Sequence, residues 1–363
     1  MKIQLTFLSA VILFGAAWPV IAPSEPRTRS LSGIPKVATL SPAHSAIRLE
    51  IPFQNIGGHI FLKVNVKGNG PYWFIFDTGN PSAILDMSRA KELGLTLKGS
   101  FQVGGAGENT ELASLVQDCP YTIPGLDGFT GRIAVALPLA VLKPHMGHDV
   151  DGILGADFIR QFVAEVDYIS NVMRLYDRAS YQYSGSGESI PISFNSASHP
   201  IMKVQLIEPG RDPIEGNFVA DLGSGGSLIL NRPYVEEEHL IMPGDKTINM
   251  RMGGGIGGGI TGLVGRVAAL KIGHLTIEKP LALFSTDTKG ATSTSKFFQG
   301  NIGFLILRKF KVILDYGNKR IILEPNSRFK RAHRLRYGLP ANDRLSGLHD
   351  FQSRVHCGWL SGG

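Results

Sequence analysis

The feature that most constrains this chain is that it repeats itself. The segment Asp151–Tyr168, DGILGADFIRQFVAEVDY, aligns without a gap on Gln299–Tyr316, QGNIGFLILRKFKVILDY. Gly152 matches Gly300, Gly155 matches Gly303, Arg160 matches Arg308, Phe162 matches Phe310, and Asp167-Tyr168 matches Asp315-Tyr316, all at an offset of 148. Upstream, Phe74-Ile75-Phe76-Asp77-Thr78-Gly79 corresponds to Phe218-Val219-Ala220-Asp221-Leu222-Gly223 at an offset of 144. Between these blocks each half carries a glycine cluster, Val103–Gly107 in one and Met252–Gly262 in the other. Three features in one order at nearly constant spacing point to a duplication with a period of about 146 residues. A unit of that length is a domain, and 363 residues suffice for two of them, each with its own core.

The local pattern predicts β-structure. Ile60–Val66 alternates for much of its length, and Tyr72–Phe76 is a continuous apolar run suited to a buried strand. Phe162–Tyr168 and Val172–Tyr176 read as a hairpin turning at Ile169-Ser170-Asn171. Ser88–Leu93 reads as a short helix. With 44 glycines and few long helical periods, the fold class expected is all-β, in two homologous units.

Residues 1–22 read as a signal peptide: Lys2 precedes an apolar run, Leu5–Ala17, too short for a comfortable membrane span. Residues 23–45, rich in Pro, Ser and Arg, read as a linker or propeptide. The two units then span 46–182 and 190–325, joined by a linker at 183–189, and the chain is expected to be exported. The net charge of +7 is concentrated at 326–363, where seven Lys/Arg face two Asp. The remaining body is close to neutral, which argues against a surface built to track phosphates, so no nucleic-acid partner is expected.

The chemistry sits where the repeat places an acid directly after an apolar strand, at Asp77 and again at Asp221. A carboxylate at the end of a buried strand is costly unless hydrogen bonds or a partner compensate it. Two units related by a pseudo-two-fold axis would bring these equivalent acids together. Two carboxylates in close contact cannot both ionise comfortably and share a proton. One can then take a proton from an attacking water while the other protonates the carbonyl oxygen, which requires neither metal nor cofactor. Gly79 and Gly223 are expected to let the backbone turn sharply beneath each acid.

Phe76-Asp77-Thr78-Gly79, the downstream Ile153-Leu154-Gly155 and their repeats resemble the retropepsin-like and pepsin-like aspartic proteases over residues 46 to 325. The resemblance is closest to exported bacterial proteins with two fused lobes, often followed by a PDZ domain. It implies two closed β-barrels, an extended peptide or protein substrate held between them, and an aspartic endopeptidase acting as a monomer. The catalytic pair would be Asp77 and Asp221, supported by Thr78, Gly79, Gly223 and Ser224. The glycine-rich segment containing Gly254, Gly255, Ile256, Gly257 and Gly258 is similar to the flap of retroviral proteases. Two positions depart from the family pattern. Leu222 stands where Thr is usual, removing one of two hydroxyls that brace the paired loops, and Asn80 replaces a small residue. A catalytically silent peptide-binding protein and a structural envelope protein on the same fold are the alternatives these departures leave open.

Other signals carry less. Gly253–Gly258 formally contains GxGxxG, but the sequence after it reads as strand, which argues against a dinucleotide site. His145, His148, Asp149 and Asp151 are dense, yet their spacing matches no metal motif and they read as a polar loop. Cys119 and Cys357 stay unassigned. Ser346-Gly347-Leu348 resembles the start of a PDZ domain, with fifteen residues following it.

Overall fold

The computed structural model describes residues 46–295 and 297–330. The expected signal peptide and first linker, the PDZ-like segment, Cys357 and the tail past residue 330 lie outside the described residues. The described chain is all-β, with no helix longer than six residues.

In the first half, strand His59–Val66 pairs with Asn69–Phe76, which continues through Gly152–Leu154, Ile84–Asp86 and Gly131–Leu137 to Thr110–Thr122. The last strand returns to the first through Asn65↔Thr122 and Val66↔Tyr121, closing a ring of pairings. The second half follows the same path from Pro200–Ile207 and Ile214–Ala220 to Gly258–Arg266. There the return strand is interrupted after Arg266, and its continuation, Ala269–Ile272, pairs with Pro200–Ile207 instead. The expectation of two closed barrels is therefore met by a continuous ring in the first half only.

The expected hairpins form, as Phe162–Asp167 with Val172–Asp177 and Phe310–Asp315 with Arg320–Pro325. They leave their own rings and pair with each other, flanked by Ile47–Pro52 and Glu188–Phe194, in one six-stranded antiparallel sheet. The register across the junction is Ala164↔Leu314, Glu165↔Ile313 and Val166↔Val312. At the offset of 148, Glu165 is opposite its own repeat mate, and its neighbours exchange partners about it. The pseudo-two-fold axis thus passes through the Glu165–Ile313 pair.

Burial on both faces explains why the hairpin reads as a continuous apolar run rather than an alternating one. Phe162, Ala164 and Val166 face the main core, while Val163 packs with Tyr176, Ile313 and Ile322 on the other face. Glu165 is buried among them and is compensated by Arg174 Nη1 at 3.0 Å, the Tyr176 hydroxyl at 3.3 Å and Lys311 Nζ at 3.7 Å. The predicted helix forms at Met87–Glu92, where the Asp86 carboxylate caps the amides of Ser88 and Arg89.

Candidate active site

Both acids are delivered by the same local construction. Strand Asn69–Phe76 alternates about its axis, so Phe74 and Phe76 enter the main core and Ile75 enters a second apolar cluster. Its end runs parallel to Gly152–Leu154, and the Asp77 amide donates to the Leu154 carbonyl at 3.0 Å. In the second half Phe218–Ala220 runs parallel to Gly300–Ile302, and the Asp221 amide donates to the Ile302 carbonyl at 2.9 Å. The support extends to side chains: Asp151 Oδ2 accepts from Trp73 N at 2.9 Å, and Gln299 Oε1 from Asn217 N at 2.7 Å. Gly152 and Gly300 are required for this close crossing, because a Cβ would overlap the Phe74 ring in one case and the Ile229 carbonyl in the other.

The two acids meet at the junction of the halves, where a Cβ on Gly79 would lie 3.1 Å from Oδ1 of both and Asp77 feels the Asp221 charge. Gly79 N donates to Asp77 Oδ1 at 2.7 Å, and Gly223 N donates to Asp221 Oδ1 at 2.9 Å. The backbone turns at both glycines, with Asn80 N donating to Asp77 O at 3.4 Å and Ser224 N to Asp221 O at 3.3 Å, and neither glycine has a positive φ. They are needed for space. A Cβ on Gly223 would overlap the Asp77 carboxylate, and one on Gly79 would lie 3.1 Å from Oδ1 of both acids.

Burial raises both acids out of the usual carboxylate range. Asp77 is pushed up to about 8, by burial first and then by the Asp221 charge, against the Gly79 amide. Asp221 is pushed up to about 6 by burial, opposed by the amides of Gly223 and Ser224, by Asn301 and by the bond from Asp77. Two coupled carboxyls raised in this way share a proton near neutrality more readily than both ionise.

Thr78 is fully buried and braces the junction. Its hydroxyl donates to the Ala220 carbonyl at 2.6 Å and accepts from Leu222 N at 2.8 Å. Leu222 is also fully buried but packs in the main core and has no hydroxyl to return the bonds. Ser224 contributes backbone only, its carbonyl accepting from Phe304 N at 2.8 Å, as the Asn80 carbonyl does from Ala156 N.

The glycine-rich segment forms a hairpin, Ile248–Gly255 with Gly258–Arg266, turning at Ile256-Gly257. Strand follows it, so no helix is available to a dinucleotide site. Its tip meets the tip of the first half's hairpin, Leu97–Gly104 with Thr110–Thr122. Gly107 N donates to Ile256 O at 3.2 Å and Asn109 N to Gly257 O at 3.0 Å. Ile256 packs on the apolar cluster that contains Ile75 and Ile153. Glu108 ties the first tip to the second half by accepting from Thr288 N, Thr288 Oγ1 and Lys289 N at 2.7, 3.1 and 3.1 Å. The sequence singled out the second-half hairpin alone, whereas the tips of both hairpins bond to each other.

Three further features escaped the sequence reading. Asn301 Nδ2 donates to Asp221 Oδ2 at 2.9 Å. His59 and His199 open equivalent strands and cross to the opposite half, His59 to the Gly223 backbone and His199 to that of Gly79; burial lowers the pKa of each. Tyr168 and Tyr316, repeat mates, are buried and held neutral, feeling Asp221 and both acids respectively. Two of these had a visible signal: position 301 breaks the repeat against Ile153, and the tyrosines keep the offset of 148, whereas His59 and His199 stand 140 residues apart and match neither offset.

The histidine-rich loop is taken up structurally. Asp151 also binds Arg89, Asp149 pairs with Lys143 at 2.8 Å, His148 stacks near Phe61 and Trp73, and His145 lies under Gly254. Cys119 is buried, with its thiol pushed up to about 11.

A comparison with curated proteins finds no match. Residues 62–158 match the family model described as aspartyl protease, a span that holds Asp77, Thr78 and Gly79 and ends beyond Gly155. The match supports an aspartic protease family, and with it protease chemistry in general, for this chain.

Proposed function

We propose that the chain is an aspartic endopeptidase that hydrolyses peptide bonds through Asp77 and Asp221. The observation that supports this reading is the close approach of these two carboxyls, each bonded by its own glycine amide. Asp221, the ionised partner, accepts a proton from water as the water oxygen bonds to the peptide carbonyl carbon. Asp77 gives its proton to the carbonyl oxygen, forming a tetrahedral diol. Collapse of the diol breaks the C–N bond as the nitrogen takes the proton now on Asp221 and a diol hydroxyl returns its proton to Asp77, which releases the carboxylic acid and the amine and regenerates the singly protonated pair.

The layout proposed is two-lobed and pepsin-like, the product of a duplication, as a monomer exported by its first 22 residues. An extended peptide or protein lies between the lobes under the paired hairpins. The apolar cluster of Ile75, Ile153 and Ile256 favours an apolar side chain on the first-half side.

Reduced, carboxymethylated casein, unfolded at all pH values, tests the reading when incubated from acid to neutral pH with and without a statine-containing inhibitor. Inhibitable cleavage within the chain is expected, and intact casein at every pH rejects it. Leu222 favours one second reading, a silent peptide binder, which predicts that inactive protein still retains casein peptides on a column.

A further inference from the structure

The two acids share one construction but not all of their donors. Asp77 Oδ1 accepts from Gly79 N and Asp221 Oδ1 from Gly223 N, and the Ser224 amide also favours the Asp221 charge. Only Asp221 has a side-chain donor besides its partner acid, Asn301 Nδ2 at 2.9 Å from Oδ2. The repeat mate of Asn301 is Ile153, which lies in the apolar cluster and has no polar atom to offer. Both residues sit in the central strand of equivalent three-stranded crossings, 219–301–229 in the second half and 75–153–84 in the first. Strand pairing therefore does not demand an amide at this position. An isoleucine meets the same backbone requirements.

We propose that Asn301 is a positioning residue that marks Asp221 as the ionised member of the pair and leaves the shared proton on Asp77. The physical ground is that an N–H donor aimed at a carboxylate favours its charged form, and a side-chain bond present on one side only adds to the Ser224 amide in separating the two acids. The other groups facing the pair cannot supply that bias so directly. Tyr168 and Tyr316 are buried and neutral below it, and Tyr316 acts on both acids. His59 and His199, with lowered pKa, are uncharged near neutrality and face Gly223 and Gly79 in mirrored positions. Asn301 also stands where Leu222 leaves the Asp221 loop without a hydroxyl brace, so one amide both orients that carboxylate and fixes its charge. The catalytic consequence, though not the titration itself, rests on the aspartic-peptidase reading: the direction of proton transfer would be set before substrate arrives.

The test is carboxyl titration by 13C NMR of aspartate-labelled full-length protein, assigned with Asp77→Asn and Asp221→Asn. In the unmodified protein the lower titration belongs to Asp221. In Asn301→Ile, which installs the repeat mate, the Asp221 titration rises by about one pH unit, roughly tenfold in proton affinity. Asn301→Ser, too short to reach the carboxylate, gives the same direction if the isoleucine protein fails to fold. Adding Ile153→Asn to Asn301→Ile moves the lower titration to Asp77. An Asp221 titration unchanged in a folded Asn301 variant overturns the proposal. In parallel, the acid limb of kcat/KM on carboxymethylated casein rises with the Asp221 titration. If the unmodified protein leaves casein intact, the peptidase reading fails while the titration still decides the role of Asn301.

Discussion

Removing the charge of Asp77 should stabilise the protein while abolishing its activity. Burial and the neighbouring Asp221 push Asp77 up to about 8 from an ordinary value of 3.8. A raised acid binds its proton more tightly when folded, so its contribution to stability is intact below the unfolded pKa and declines as pH rises toward the folded one. At pH 7 the gap spans about 3 pH units of this window, which corresponds to at most about 4 kcal/mol. Asp77 is partly exposed and its partner relaxes with it, so roughly half of that, about 2 kcal/mol, is the working figure. Asparagine keeps an acceptor for the Gly79 amide and gains a donor toward Asp221, so the hydrogen bonds survive the change. Urea unfolding of both proteins at several pH values measures the effect. Asp77→Asn should be more stable at pH 7, with the advantage vanishing near pH 4, and inactive throughout. A destabilised variant, or a difference independent of pH, would refute the claim that the two acids are a strained, proton-sharing pair.

Leu222→Thr should raise turnover with little change in Tm. A hydroxyl reaching the Phe76 carbonyl is worth about 0.5–1.5 kcal/mol, similar to the loss of buried methyl packing. Lower stability without a faster rate would show that the missing hydroxyl is not limiting. Glu108→Ala should release the first hairpin tip and weaken hydrogen-exchange protection of the Gly107 and Asn109 amides several-fold, since these bond across to Ile256 and Gly257. Gly300→Ala should destabilise by at least about 1–3 kcal/mol, because the Ile229 carbonyl occupies the space of the added methyl.

Much of this arrangement could be read from the sequence because the duplication writes it twice. The offset of 148 located both hairpins and both glycine crossings, and the offset of 144 located the acids. What the repeat could not convey was how the halves join. Phe162–Asp167 is apolar on both faces whether it closes its own ring or meets a neighbour, so the shared sheet appears only in the pairing of Val166 with Val312. The interruption of the second ring after Arg266 is likewise a matter of register. Asn301 was overlooked because attention to matches passes over mismatches, yet Ile153 against Asn301 is the substitution that makes the two acids unequal. At Gly79 and Gly223 the sequence conveyed the turn but not the carboxylates lying against them, which leave no room for a Cβ on Gly223.

The measurement that most directly tests the central claim is casein cleavage by Asp77→Asn and Asp221→Asn, each compared with the unmodified protein at its best pH. The account predicts that either substitution alone abolishes cleavage, with circular dichroism and hairpin exchange protection unchanged, because one shared proton needs both acids. Cleavage retained by a folded Asp221→Asn protein would contradict it, and would place the chemistry in a pair formed by first halves of two chains.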